Sequence, residues 1–239
     1  MTVRRLHVPR GAIAGDRARL DPRDRHYLEG VLRLAPGAAV EVFDGEGSAW
    51  AGTLGEGEVR LGPRRDAPAP AAVVWLAFAL ARGEKNDLVV QKATELGVAR
   101  LLPFQAERSV VKLDAARGRE RAQRWQRIAE EAARQCGRSE VPAVDAPAAL
   151  AEVLARAPAG FRALVLHPAA GEPFADACDG PAAGFLAVTG PEGGLTEPEL
   201  EACLAAGARA ATLGPRVLRA ETAAVTVAAL LQHRRGDLA

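Results

Sequence analysis

Near its C-terminal end this 239-residue chain carries two apolar runs, each of which breaks at a glycine-bearing loop and resumes as a helical pattern. The first reads VTGPEGGLTEPELE over residues 188–201 and the second LGPRVLRAETAAVTVAALL over 213–231. Strand, tight loop and helix in succession predict an α/β sheet, and such sheets bind ligands beyond the C-terminal ends of their strands. Phe185 to Val188 predict a buried strand, after which Gly190 to Gly194 turn sharply and leave main-chain N–H groups uncovered. Thr196 to Glu199, T-E-P-E, combine an N-cap, a carboxylate three residues on and a first-turn proline, which marks a helix start. In the second stretch Ala210 to Leu213 predict a short strand and Gly214-Pro215 a turn. From about Glu221 the apolar residues Ala224, Val227, Ala228 and Leu231 fall at helical spacing. Arg216, Arg219 and Glu221 sit between. One glycine-rich turn is more often structural than ligand-binding; two in this wording are more specific.

Upstream the alternation continues. Val73 to Leu80 predict a strand, Asn86 to Gly97 a helix with a glycine stop, Leu101 to Phe104 a strand, and Leu164 to Leu166 another. Such alternation implies a parallel sheet covered by helices. Between them, Asp114 to Arg138 predict a long helix with Trp125, Ile128, Ala129, Ala132 and Cys136 on one face and six arginines, from Arg117 to Arg134, off it. Arg82, Glu84, Lys85 and Asn86 cluster at the end of the Val73 strand, where they either face substrate or cap the helix.

Residues 1–61 read differently. Asp21-Pro22 is an N-cap and first-position pair opening a helix over 22–33, and short strands follow at Ala39 to Phe43, Ser48 to Leu54 and Val59 to Leu61, the pattern of a small barrel. Gly62 to Ala72, proline-rich and aperiodic, predicts a linker. The expected organisation is a domain over 1–68 and a second over 73–239.

A formal charge of +1 gives no global signal for nucleic acid. Its distribution does, because residues 1–33 carry eight arginines against four acids, and 100–138 ten cations against five acids. Fixed guanidinium forks suit phosphate contacts, although a charged helix face is usually only solvated. Cys136, Cys178 and Cys203 lack disulfide-framework or zinc spacing, and no pair among His7, His26, His167 and His233 has metal-ligand spacing. No metal is expected. Without a long apolar run or a signal segment, the chain is expected to be soluble and cytoplasmic.

GPEGGLTEPELE followed by LGPRVLRAETA resembles the knotted SPOUT-type methyltransferases, and within them the family that methylates N3 of a uridine in 16S ribosomal RNA of the small subunit. VLRLAPG at 31–37, RGEKNDLVVQKATELGV at 82–98, FQAERSVVK at 104–112, WQRIAEEAARQCGRSEVP at 125–142 and LHP at 166–168 extend the likeness over nearly the full length. The resemblance implies an α/β fold with a C-terminal trefoil knot, an N-terminal PUA-like RNA-binding barrel, a homodimer, and S-adenosyl-L-methionine as methyl donor. It implies as RNA partner the small-subunit ribosomal RNA, in an assembled or partly assembled particle. Onto this sequence the donor loops map to Leu166 and His167, to Thr189, Gly190, Pro191, Glu192, Gly193 and Gly194, and to Leu213, Gly214, Val217, Leu218 and Arg219. Apolar walls with exposed main-chain groups suit an adenine edge. Methylation at N3 needs a base, or a cation that stabilises the forming anion, and the candidates are Arg219, Glu221 and Arg10, the last reaching from the N-terminal region. Arg10, Arg23, Arg33 and Arg124 are candidate RNA contacts, with the target uridine single-stranded or flipped. Two other classes compete. A nonenzymatic RNA-binding or ribosome-assembly protein fits the barrel and the basic stretches. A phosphate-binding nucleotide enzyme fits poorly, since G-x-x-x-x-G-K-[ST] is absent and Glu192 within the loop repels phosphate.

Overall fold

The structure, a computed structural model, describes residues 3–238. It divides into two units, residues 1–69 with 130–141 and residues 70–129 with 142–239.

The first unit holds six strands: β1 (Arg4–His7), β2 (Ile13–Ala14), β3 (Arg17–Arg19), β4 (Ala39–Phe43), β5 (Ser48–Leu54) and β6 (Glu58–Asp66). They pair in the order β1-β4-β5-β6-β3-β2, antiparallel except for β1 with β4. Leu6 of β1, Ala18 of β3, Val40 and Val42 of β4 and Val59 of β6 share one buried cluster with Leu28. Strands near both edges therefore wrap the same core, and the sheet is a curled half-barrel. The expected helix over 22–33 is shorter and two-part: α1 (Pro22–Arg25), capped by the Asp21 carboxylate accepting from the Asp24 N–H at 2.7 Å, runs on as a π-helical turn from His26 to Val31. Arg33, beyond the π-helical turn, takes φ 53°, outside any helix. The expected linker is also corrected, because β6 continues through Gly62 and Pro63 to Asp66. Proline is tolerated there because the pairing with β5 shifts register between Trp50 and Gly52, where a ladder bond from residue 63 is not required.

The second unit is a parallel sheet. Its strands are β7 (Val73–Ala79), β8 (Arg100–Gln105), β9 (Ala143–Val144), β10 (Ala148–Ala149), β11 (Phe161–Leu166), β12 (Gly184–Thr189) and β13 (Arg209–Ala211). The order is β10-β8-β7-β12-β11-β13, with β9 also on β8, and every pairing is parallel. Its helices are α2 (Lys85–Glu95), α3 (Ala115–Cys136), α4 (Leu150–Ala155), α5 (Phe174–Ala177), α6 (Glu197–Ala205) and α7 (Ala220–Arg235). The last residues of α3 belong to the first unit. β12 is buried at every position because β7 and β11 flank it in the plane and helices cover its faces. The α3 stripe is legible in Trp125, Ala129 and Ala132, all buried, but Cys136 is exposed and Ala133 takes the buried place in the last turn. Leu213 lies beyond β13 rather than in it, which frees it for the loop described next. Among the described residues no helix is long and apolar enough to cross a membrane.

Candidate functional site

Three strands of the second unit end at one level. Leu166, the last residue of β11, pairs with Thr189, the last of β12, and with Ala211, the last of β13. The three following loops therefore leave the sheet side by side, and they enclose a cleft of about 120 Å³. Its apolar walls come from Leu166, Leu195, Leu213, Val217 and Leu218, with Ala220 and Ala223 of α7 behind them.

Each loop is held in a different way. After β11 the His167 N–H donates to the Ala211 carbonyl at 3.0 Å, and the His167 Nδ1 accepts from the Ala169 N–H at 3.3 Å. After β12 the Thr189 hydroxyl is buried and donates to Ala77 of β7, and Gly194 takes φ 72° as its N–H donates to the Pro191 carbonyl at 2.9 Å. The capping box expected from T-E-P-E forms, with Glu199 accepting from the Thr196 N–H at 2.8 Å. Its second oxygen accepts from the Glu107 N–H, also at 2.8 Å, which ties the segment after β8 to the start of α6. After β13 Gly214 takes φ 108° and exchanges hydrogen bonds with the Thr212 hydroxyl. The N–H groups of Leu213, Val217 and Leu218 have no hydrogen-bond partner among the described residues, so the cleft presents unused main-chain donors beside apolar side chains.

Glu192 carries the charge at the rim. The Lys85 ammonium, at the first position of α2, donates to Glu192 Oε1 at 2.8 Å. This bond holds the Glu192 carboxyl below its ordinary range and raises Lys85 above its own. Lys85 also lies 3.7 Å from Glu221 Oε2 in the first turn of α7. That oxygen is buried and has no hydrogen-bond partner.

Of the thirteen residues matched to donor loops, eleven line the cleft: Leu166 and His167, Thr189 to Glu192, Gly194, Leu213, Gly214, Val217 and Leu218. Gly193 and Arg219 do not. Gly193 instead packs under Arg108, whose guanidinium donates to the Gly193 carbonyl at 3.1 Å, while a Cβ at 193 would meet the Arg108 Cβ at 3.2 Å. Arg219 is the N-cap residue of α7, exposed, with no ion pair among the described residues. Glu221 faces a smaller neighbouring cavity with Lys85, Asn86, Thr189 and Gly190. Arg10 belongs to the first unit, 3.3 Å from Glu46 and 3.8 Å from Asp44. The candidate RNA contacts also differ in their surroundings. Arg23 pairs with Glu131 at 3.1 Å and Arg124 with Asp87, whereas Arg33 is exposed and unpaired among the described residues.

The sequence left Lys85 either facing substrate or capping its helix and did not single out Arg108, and the structure sets both against the loop after β12. Both stand in stretches visible in the sequence, RGEKND and FQAERSVVK, but their partners Glu192 and Gly193 lie 107 and 85 residues away. Leu195, one position beyond the first glycine motif, was missed as a lining residue, whereas Arg216 falls within the 213–219 loop and lines the cleft with it.

A family model described as an RNA methyltransferase domain matches residues 68–232. A protein named ribosomal RNA small subunit methyltransferase E from Mycobacterium bovis is 35% identical over 217 residues, covering 86% of this chain and 82% of that one. Its namesake in Bacillus subtilis is 37% identical over 175 residues, covering 69% and 68%. The crystal structure of a ribosomal RNA small subunit methyltransferase E from Neisseria gonorrhoeae, bound to S-adenosyl methionine, is similar over 100% of both chains, with a TM-score of 0.89 at 30% identity.

Proposed function

The chain belongs to the RNA methyltransferase domain family, and from that premise we propose that it is an S-adenosylmethionine-dependent methyltransferase acting on N3 of a uridine in small-subunit ribosomal RNA. The observation that carries this reading is the meeting of three strand-end loops in one register, which makes an apolar cleft edged by unpaired main-chain donors. Both named relatives and the donor-bound structure support it.

The residues present fit the donor. Leu166, Leu213, Val217 and Leu218 offer apolar walls for a flat base, and the free N–H groups beside them offer the polar contacts that fix its edge. The Glu192 carboxylate among the lining residues suits a cationic group. When bound, S-adenosylmethionine supplies an electrophilic methyl group on a sulfonium.

The protein's own part is to make N3 of the uridine nucleophilic. The imide proton must leave and the charge spreads over two carbonyl oxygens. The Arg219 guanidinium has no ion pair among the described residues to hold its fork, so it is free to stabilise that anion. Glu221 offers a buried carboxylate oxygen without a donor, which suits acceptance of the N3 proton. The first unit, with Arg10, Arg23 and Arg33, is assigned to RNA contact, together with Arg124 of α3. A homodimer and the trefoil knot are carried into this reading from the family resemblance.

Nucleoside mass spectrometry of small-subunit ribosomal RNA from a deletion strain tests the assignment. One N3-methyluridine should disappear and return with the wild-type gene. An unchanged nucleoside profile, together with calorimetry showing no donor binding, would instead favour a nonenzymatic RNA-binding protein.

A further inference from the structure

Lys85 occupies a position that local rules disfavour. It opens α2, where unpaired N–H groups and the helix dipole already place positive potential, and a cation there is normally unfavourable. Its backbone is held in place, because the next residue, Asn86, is buried and exchanges two hydrogen bonds with Ala81, donating at 2.9 Å and accepting at 3.1 Å. The side chain then reaches two carboxylates on different elements. One is Glu192 on the loop after β12, the other Glu221 in the first turn of α7. The first is a hydrogen bond at 2.8 Å, and the second, at 3.7 Å, is an ion contact that leaves Glu221 Oε2 without a donor. Lys85 and Glu221 share the lining of a small cavity with Asn86, Thr189 and Gly190, while Glu192 lines the donor cleft.

We propose that Lys85 is a positioning residue that ties the cleft loop to the Glu221 carboxylate, so that one ammonium sets both the shape of the donor cleft and the aim of the proton acceptor. The inference rests on the methyltransferase reading above. Glu192 lines the cleft, and pulling it toward Lys85 keeps the loop's carboxylate at the rim, away from the apolar floor. Glu221 is anchored loosely by charge alone and keeps its oxygen available. A neutral residue at 85 loosens the loop and leaves the Glu221 carboxylate buried without a nearby cation, whereas loss of the Glu192 charge leaves Lys85 beside Glu221.

The comparison is between Lys85→Met, Lys85→Arg and Glu192→Gln in the full chain, with thermal melts to confirm folding. Donor affinity is read by calorimetry, amide exchange over residues 190–195 reports the loop, and turnover is measured on small-subunit RNA at saturating donor. Lys85→Met and Glu192→Gln should each weaken donor binding by about 3- to 10-fold and speed exchange in the loop. Lys85→Met should also lower turnover at saturating donor, by about 10-fold or more, and well beyond any loss in Glu192→Gln. Lys85→Arg, which keeps the charge, should restore both to within about threefold. The proposal is overturned if Lys85→Met loses no more turnover than Glu192→Gln, or if it binds donor as the wild type does. If Lys85→Met does not fold, a folded Lys85→Arg protein that has lost turnover tenfold overturns it equally. Failure of the wild-type protein to bind donor at all would be a different result, and would remove the methyltransferase reading itself.

Discussion

Gly193 and Gly194 stand side by side, yet they are glycine for different reasons. Gly194 holds φ 72° with open space around its missing side chain, so any substitution there is opposed by backbone strain alone. Gly193 has no such φ, but a Cβ would meet Arg108 at 3.2 Å. Gly194→Val should therefore strain the loop by about 1–3 kcal/mol and weaken donor binding accordingly. Gly193→Ala should displace Arg108 by only a few tenths of an ångström, with a donor-affinity loss of about two- to fivefold. Calorimetry on both folded variants decides, and equal losses would return Gly193 to the cleft. Arg219→Lys tests the anion-stabilising role. A point charge cannot replace a fork, so turnover should fall at least tenfold while donor affinity stays within about twofold. Unchanged turnover would remove Arg219 from the mechanism.

At the scale of elements, the strand ends and helix starts were legible because their signals are local. Glycine stops, T-E-P-E and Asp21-Pro22 each act within one turn of chain, and β4 and β5 have the bounds that their apolar runs predict. What was not legible was settled by contacts distant in sequence. β6 extends past Pro63 because β5 is there to pair with it, and Glu199 serves two segments because the 106–109 turn lies beside α6. Glu199→Ala should for that reason cost more than an ordinary cap, about 1–3 kcal/mol, read as a lower urea midpoint, whereas Thr196→Ala should stay near the ordinary ~1 kcal/mol. The short helix α1 has a pH signature of its own. Burial, with Asp21 beside it, raises the Asp24 carboxyl to about 6, against the lowering influence of Arg134 and Arg23. The folded state thus binds this proton more tightly than the unfolded chain. The stabilisation is fully present below the ordinary carboxylate value and is lost as pH rises through about 6. Asp24→Asn should flatten the stability profile between these values and raise the neutral-pH melting temperature by about 2–4 °C. A lower melting temperature would show that the charge is stabilising where it stands.

For the molecule as a whole, the division of labour between the arginine-rich residues 1–33 of the first unit and a cleft in the second gives a measurement that either alone does not. Contacts to single-stranded phosphates release counterions, so log affinity falls with log salt by about 0.7 per contact. Formal charge suggests that Arg10, Arg23 and Arg33 contribute equally, but their surroundings say otherwise. Arg10 already faces Glu46 and Asp44, and Arg23 faces Glu131, so an RNA phosphate reaching either must displace a carboxylate of the protein. Arg33 has no such partner among the described residues, and its φ of 53° holds it beyond the end of the π-helical turn. Arg33→Ala should therefore shallow the salt slope by about 0.7, and Arg10→Ala and Arg23→Ala by less than that each. The full chain is the right material, because residues 130–141 belong to the first unit and Ala133 is buried with Phe43 and Ala49. Removing the first 72 residues would strip that stretch of α3 of its core. Donor affinity should stay at the wild-type value in all three variants. If it falls with Arg33→Ala, or if the paired arginines carry the larger share of the slope, the assignment of RNA contact to Arg33 is wrong.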